Sequence, residues 1–546
     1  MSEFLRNPKI KALYPWIVCL IPLLLAVFCC VIKSGGFVDE YFSLSFSNSS
    51  RGGYLIDSFD GNLIHRVITS DELRDYVAVE QDETFVYDYI IENCSSDMTP
   101  PLYYFILHTI CSFFPGVLSK WFGLSINLLA YFVTLVFLYH SAMLLYKSRW
   151  VATLILFCYG FSAGGLNCVT YVRMYAMVTM WSVLLLYFIL KDIQDGGSKY
   201  SVAAGIVIYL GFLTQYNFGI IAFFLCAATC VVLMFRKKIR KLLVFGGCSL
   251  AGVLLFLLSW PSLFKQTGIV VSWTNEAGRG DVGFFLSVYF WLRMIFFQLK
   301  TEVLLLAVLA IIIIGLKLFL GKAADGAEET AKRERIISAE YVIVTVAFIL
   351  GTICIAHFAP YFSARYCFNV MPMFALVLGL PFIVFRKQLD ELKKKKSIHF
   401  SMNVVGVIIA FVIVIGMPKF DQLMYLYTDN PEKLQVTESV SSYPCLFITT
   451  NREKAIINSI DHLVKFEDIY VSDELSAEEY DTYVSAHSNK DAIVVYVDID
   501  PISSSGLDSD EVIGKFAETG LYDNIYVLYE LDSARAFLLH VNANKN

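Results

Sequence analysis

Eleven apolar stretches punctuate the chain, at 13–32, 122–146, 150–167, 174–190, 201–215, 217–235, 242–260, 301–320, 339–357, 366–385 and 400–417. Each approaches the ~20 residues that an α-helix needs to cross ~30 Å of hydrocarbon. The pattern predicts a mainly α, polytopic membrane protein of about eleven transmembrane helices. The first stretch, Leu13–Ile32, carries no charge and is longer than a signal-peptide core. No small-residue cleavage site follows it, so it is expected to stay as an anchor.

Beyond residue 417 the pattern changes. Short runs rich in β-branched and aromatic residues (PCLFITT, AIVVYVD, NIYVLYEL, AFLLHV) alternate with helical patterns (REKAIINSIDHLVKF, SDEVIGKFAETG). That alternation predicts a small α/β domain over 418–546, without a glycine-rich phosphate loop. Residues 1–417 form the membrane domain in this reading, and 33–120 is its first large loop.

Lysine and arginine set the expected orientation. With the N-terminus inside, more than half of the 43 Lys and Arg fall in short inner segments, among them RKKIRK at 236–241 and Arg386 through Lys396. The pattern holds only if Pro100–Pro115 and 284–299 do not cross, so both are expected to be interfacial or re-entrant helices on the outer face. The loop 33–99, the segment 261–300 and the C-terminal domain are then extracytoplasmic. The expected location is a plasma membrane, probed from a cytoplasmic N-terminus, and the compact loops lean toward a bacterial one.

Composition agrees. The chain is 57 % hydrophobic and 17 % charged, against 45–50 % apolar in soluble domains. The thirteen cysteines lie mostly in apolar stretches, and the eight histidines are scattered, so no His/Cys metal spacing is present. The basic runs read as topology signals and not as nucleic-acid contacts.

Five polar groups fall on the predicted outer face. They are Asp39-Glu40, Asp97 with the following MTPPLYY (Tyr103, Tyr104), Arg173-Met174-Tyr175, Gln215-Tyr216-Asn217 and Arg365-Tyr366. Carboxylates there can act as a general base or hold a cation. Arginines can fork onto phosphate oxygens, and Tyr, Gln and Asn can bind sugar hydroxyls. Each group also has a plainer reading. The acidic pair can be a solvated loop start, Asp97 a helix cap, and the prolines a helix start. The arginines can snorkel at the boundary, the tyrosines can be interfacial belt, and Arg279 and Asp281 a flexible turn.

The motifs VDEYFS, DMTPPLYYFILH, YVRMYAM, LTQYNFG and SARYCFNVMP, in this order, resemble those of the GT-C superfamily of membrane glycosyltransferases. The likeness is to the protein mannosyltransferase and aminoarabinose transferase type, which use polyprenyl-phosphate sugars. It covers residues 1 to about 385. Thr99 and Gln215 stand where that family usually carries histidine. The resemblance implies Asp39 as catalytic base, with Glu40 as its helper. It implies Arg173 and Arg365 as phosphate ligands. Tyr103, Tyr175, Tyr216, Tyr366 and Gln215 would line the pocket. Asp97 would position the acceptor or share a divalent cation, Mg or Mn, whose involvement is left open. The implied partners are a polyprenyl-phosphate sugar donor, membrane lipids, and a glycan, lipid or protein acceptor. The alternative function is a transporter or flippase of a lipid-linked saccharide. That reading asks for charged mid-membrane helices and internal repeats, which the sequence does not offer. A third, a sensor with an outer ligand-binding domain, would leave the five groups without a role.

Overall fold

The computed structural model describes residues 8–195, 197–266, 283–321, 338–359, 363–396, 401–450, 452–473, 491–499 and 507–542. Arg279 and Asp281, and most of the basic 317–335 loop, lie outside the described residues. The chain forms two compact units. The first comprises Met1–Val31, Asp97–Tyr103 and Gly123–Met424, and the second Ile32–Ser96, Tyr104–Phe122 and Tyr425–Asn546.

The first unit is helical. Each of the eleven apolar stretches is helix, beginning with α1, Pro8–Ile32. Among the described residues, eight helices are long and apolar enough to cross a membrane. Arg149–Gly160 and Ala163–Thr170 make a ninth span if counted together, although they are bent by 57°. Ser162 causes the break, because its hydroxyl accepts from Gly165 N at 3.0 Å and caps a new helix. The two remaining stretches of the predicted eleven are shorter, at 16 residues for Lys199–Thr214 and 14 for Met402–Ile415. At ~1.5 Å per residue these reach only about 20–25 Å. The helix in the Pro100–Pro115 stretch, Leu102–Cys111, has 10 residues, and Phe284–Gln298 has 15.

Lipid tails give helices no hydrophobic reason to associate, so small residues decide where backbones meet. A Cβ at Gly205 would lie 2.5 Å from Cys248 O, and one at Gly252 only 2.3 Å from Gly205 O. These two glycines let Lys199–Thr214 and Ile239–Ser259 pack backbone to backbone. Buried Asp192 adds a polar tie, accepting from Ser201 Oγ at 2.8 Å, with Lys241 Nζ at 3.7 Å.

The second unit is built on a six-stranded mixed sheet. Its strands are β1 (Arg66–Thr69), β2 (Cys445–Ile448), β3 (Asp468–Ser472), β4 (Ala492–Asp498), β5 (Tyr522–Glu530) and β6 (Ala534–Val541), in the order β1-β3-β2-β4-β6-β5. β2 runs parallel to β3 and β4, and the other pairs are antiparallel. Every residue of β4 is buried, as expected of an inner strand covered on both faces. Leu446, Val495 and Phe537 pack on one side against Val512 and Phe516 of the helix Ser509–Glu518.

β1 comes from the first large loop, about 400 residues before its neighbour β3 (Val67 opposite Tyr470). The loop is tied to the tail at further points. Ile56 N donates to Glu453 Oε2 at 2.9 Å, His65 N to Val471 O at 2.8 Å, and an Arg74 guanidinium nitrogen to Val464 O at 3.1 Å. The division at residue 417 is therefore corrected. The compact α/β unit takes in most of the 33–120 loop, because the tail's sheet needs the loop's strand to cover its β3 edge.

Two buried groups make this unit sensitive to pH. Burial pushes the Glu453 carboxyl up to about 7. It holds His462 down to about 4, where the ring sits neutral between Thr437 Oγ1 at 2.7 Å and Asn430 Oδ1 at 3.0 Å. From pH 4 to the ordinary histidine value of 6.5, the unfolded chain binds the extra proton at His462, so stability rises with pH. From the ordinary glutamate value of 4.5 to 7, the folded chain binds the extra proton at Glu453, so stability falls as pH rises. The two contributions oppose each other where they overlap, and single variants separate them. In thermal melts of the purified chain from pH 4 to pH 8, His462→Gln is expected to lose less stability than wild type on acidification. Glu453→Gln is expected to gain on wild type as pH rises above 5. Parallel pH profiles for all three proteins would contradict this assignment.

Candidate active site

The acidic pair opens helix α2, Val38–Asn48, in the second unit. Every residue of α2 is buried except Asp39, which is half-exposed. Sequence VDEYFSLSFSN explains the burial, since small serines alternate with Tyr41, Phe42, Leu44 and Phe46. The serine hydroxyls turn back onto the backbone, as Ser43 Oγ does to Asp39 O at 3.0 Å and Ser47 Oγ to Ser43 O at 2.7 Å.

The two carboxylates differ in their surroundings. Glu40 is 3 % exposed and is held twice through one oxygen. Phe37 N donates to Oε2 at 2.7 Å, closing the helix N-terminus, and Lys33 Nζ donates to the same atom at 2.9 Å. Lys33, 2 % exposed, also donates to Tyr425 O at 2.6 Å. Glu40 is thus a buried structural anion. Asp39 keeps access to solvent in the first helical turn, where the aligned peptide dipoles favour negative charge.

The remaining candidates belong to the first unit. Arg173 lies in the turn between Ala163–Thr170 and the helix Tyr175–Asp195, and is 9 % exposed. The turn is fixed by Asn127, whose Nδ2 donates to Val169 O at 3.2 Å and Tyr171 O at 2.5 Å. Tyr171 stacks on Tyr175 (centroids 5.7 Å, 10° between planes) and its hydroxyl accepts from Arg365 Nη1 at 3.0 Å. The Arg365 guanidinium also lies over the Tyr366 ring, 5.3 Å from its centroid. Tyr366 meets Tyr175 edge to face at 6.2 Å and Trp291 at 6.3 Å.

Asn217 joins the Gln215 group to this cluster, since its Nδ2 donates to Tyr366 O at 2.7 Å. Tyr216 OH accepts from Trp260 Nε1 at 2.7 Å and donates to Gln266 Oε1. The Gln215 Oε1 is engaged locally, accepting from Tyr216 N at 2.8 Å. Arg365, Tyr366, Tyr175 and the 215–217 turn are therefore brought together in one cluster. Asp97 and Tyr103 are buried, at 4 % and 0 % exposure, in the short segment 97–103 of the same unit. Thr99 there is buried too, and its hydroxyl has no hydrogen-bond partner among the described residues.

Sequence reasoning missed Lys33, Tyr171, Trp260 and Trp291. Tyr171 sits two residues before Arg173 in YVRMY, and that spacing was the available signal. No group of three His, Cys, Asp or Glu side chains among the described residues is arranged to hold a metal ion.

No family model matches the chain, and no curated protein matches it by sequence. Solved structures do. ArnT from Cupriavidus metallidurans bound to undecaprenyl phosphate aligns with a TM-score of 0.51 at 10 % identity, over 97 % of this chain and 98 % of that one. The apo state of the same protein gives 0.47 at 9 % identity, over 96 % and 98 %. The Archaeoglobus fulgidus oligosaccharyltransferase tethered to an acceptor peptide gives 0.40 at 12 % identity, over 90 % and 70 %. The likeness to the ArnT complex is one of fold, and it runs through both units. The chain therefore shares the fold of that ArnT structure.

The Lys33–Glu40 pair generates a prediction. Removing one partner of a buried ion pair costs about 3–5 kcal/mol, whereas neutralising both is often tolerated. Lys33→Ala is expected to lower the melting temperature markedly. The double variant Lys33→Met with Glu40→Gln, which keeps the bond from Phe37 N, should melt much closer to wild type. Equal losses in the two proteins would show that the pair is not what holds α2.

Proposed function

We propose that this chain is a membrane glycosyltransferase that moves a sugar from a polyprenyl-phosphate donor to an acceptor hydroxyl or amine, at the outer face of the membrane. The observation that carries the reading is Asp39, the one solvent-accessible residue of an otherwise buried helix. The GT-C fold supports it, and so does the undecaprenyl phosphate bound by the ArnT structure that shares this fold.

In the proposed step, the Asp39 carboxylate takes the proton from the acceptor as the acceptor's oxygen or nitrogen attacks the anomeric carbon. A new bond forms there while the bond from that carbon to the phosphate oxygen breaks. The electron pair leaves with the polyprenyl phosphate, and the configuration inverts. Arg365 and Arg173 meet the charge that grows on the leaving phosphate, where guanidinium donors fit phosphate oxygens in pairs. Tyr171 holds Arg365 from one side, so the guanidinium is preorganised. Tyr175, Tyr216 and Tyr366, with Tyr103 and Gln215, shape the donor pocket. Asp97 positions the acceptor. Glu40 acts through α2, which it fixes, and not on the substrate. No step is routed through a divalent cation, since the described carboxylates do not gather to hold one.

The test compares wild type with Asp39→Asn in nanodiscs, supplied with a polyprenyl-phosphate sugar and candidate acceptors. Loss of a general base lowers turnover by about 10²–10⁴-fold, and that loss is expected with donor affinity little changed. Transfer at the wild-type rate would remove Asp39 from the chemistry. Movement of lipid-linked sugar across liposome membranes with no glycoside formed would favour the transporter.

A further inference from the structure

A cleft in the second unit is built from four separate stretches of chain. Gly35 and Gly36 follow α1, Tyr427 and Lys433 open the tail, and Asn458, Asp461 and Asp532 come from deeper within it. The stretches are sewn together by backbone-directed bonds. Ser34 N donates to Leu426 O at 2.9 Å, Ser34 Oγ to Tyr427 O, and Asn430 Nδ2 to Ser34 O at 2.8 Å.

Two features of its wall go against local preference. A Cβ at Gly36 would lie 2.7 Å from the Tyr41 ring, so only glycine fits. Tyr427 has φ of 51°, the left-handed region, which is unfavourable for a bulky aromatic residue. Such conformations persist where the surroundings over-determine them, and they gather at ligand sites. Here the strained residue faces the cleft and its hydroxyl donates to Asp532 Oδ2 at 3.1 Å.

The chemistry of the lining is one-sided. Three aspartates, Asp429, Asp461 and Asp532, stand against one lysine, and Lys433 is engaged by Asp429 at 2.7 Å. The nearby cations are also committed, Lys33 to Glu40 and Lys465 to Glu438 at 2.6 Å. His462 is neutral, with both ring nitrogens bonded. Asn458 donates through Nδ2 to Ser533 Oγ at 2.7 Å, yet its Oδ1 is buried with no partner among the described residues. A buried acceptor left unmatched is costly unless something fills it. The cleft therefore offers acceptors and negative charge, while its own donors are used internally. A fitting ligand brings several donors and no negative charge.

We propose that this cleft binds a neutral or amino-bearing saccharide unit, whose hydroxyl or ammonium hydrogens meet Asn458 Oδ1 and the carboxylates of Asp461 and Asp532. Binding stands apart from the transferase reading. Use of the cleft as an acceptor subsite rests on that reading, because Gly36 leads directly into α2 and a Cβ there would meet the ring of Tyr41 of α2.

The test is saturation-transfer NMR on the full chain in nanodiscs free of sugar detergent. The probes are methyl glucoside, glucosamine and glucose 6-phosphate at millimolar concentration. Signal is expected from glucosamine and methyl glucoside, and glucose 6-phosphate is expected to bind about tenfold more weakly, in line with the loss of one charge-assisted contact. Asn458→Ala and Asp532→Asn should each weaken binding about tenfold on the same grounds. Asp532 is exposed, so its variant does not threaten the fold. Equal binding of glucose 6-phosphate, unchanged signal in both variants, or no signal from any probe would overturn the proposal. The same titration with Asp39→Asn keeps a failure here distinct from a failure of the base assignment.

Discussion

The Lys33 ammonium organises the second unit. It emerges directly after α1, loses its water, and replaces it with the Glu40 carboxylate and the Tyr425 carbonyl. Burying that charge is costly unless it is paired and hydrogen-bonded, and both partners here are in position. One end of the arrangement fixes the start of α2, and so the orientation of Asp39. The other end reaches across almost 400 residues of sequence to the first residues of the tail. The α/β sheet, the first loop and the acidic helix thus share one point of attachment. β1 repeats the same logic at the sheet edge, where the loop supplies the strand that covers β3.

That dependence also separates the two acidic residues, which adjacency in sequence could not. Both lie in the first turn of one helix, 100° apart around its axis. One turns inward to an ion pair, and the other faces outward. In the first unit the arginine motifs show a comparable division. Arg365 is held by a tyrosine hydroxyl and an aromatic face, a setting that stiffens its guanidinium. Gln215, standing where the resembled family carries histidine, is occupied by its neighbour's backbone. The turn it caps still brings Tyr216 and Asn217 into the cluster.

Much of this was legible in the sequence, for physical reasons. A span declares itself through local composition alone, so all eleven apolar stretches were found as helices. Their count as spans was less secure, because length fails at Lys199–Thr214 and Met402–Ile415 and Ser162 breaks a third. The tail strands β2, β4, β5 and β6 showed in their β-branched runs. RVIT, the four residues of β1, is β-branched at three positions, but so short a run inside a long loop does not declare a strand, and its pairing is set by a partner about 400 residues away. DIYVS, which forms β3, is nearly as short. Lys33 was illegible as well, since a lysine at the end of an apolar stretch ordinarily marks the membrane boundary. The β1–β3 pairing and the Lys33 bridge together group the first loop with the tail. Residue types and order single out Arg365, Tyr366, Tyr175 and Tyr216, which the fold brings into one cluster. The aromatic partners that hold them, Tyr171, Trp260 and Trp291, belong to tertiary packing.

The central claim is that the arginine–tyrosine cluster receives the phosphate of a polyprenyl-linked sugar. A structure of the full chain with polyprenyl phosphate bound tests it most directly. The account predicts phosphate oxygens within hydrogen-bonding distance of the Arg365 or Arg173 guanidinium. A phosphate bound elsewhere, out of reach of both arginines, would contradict it.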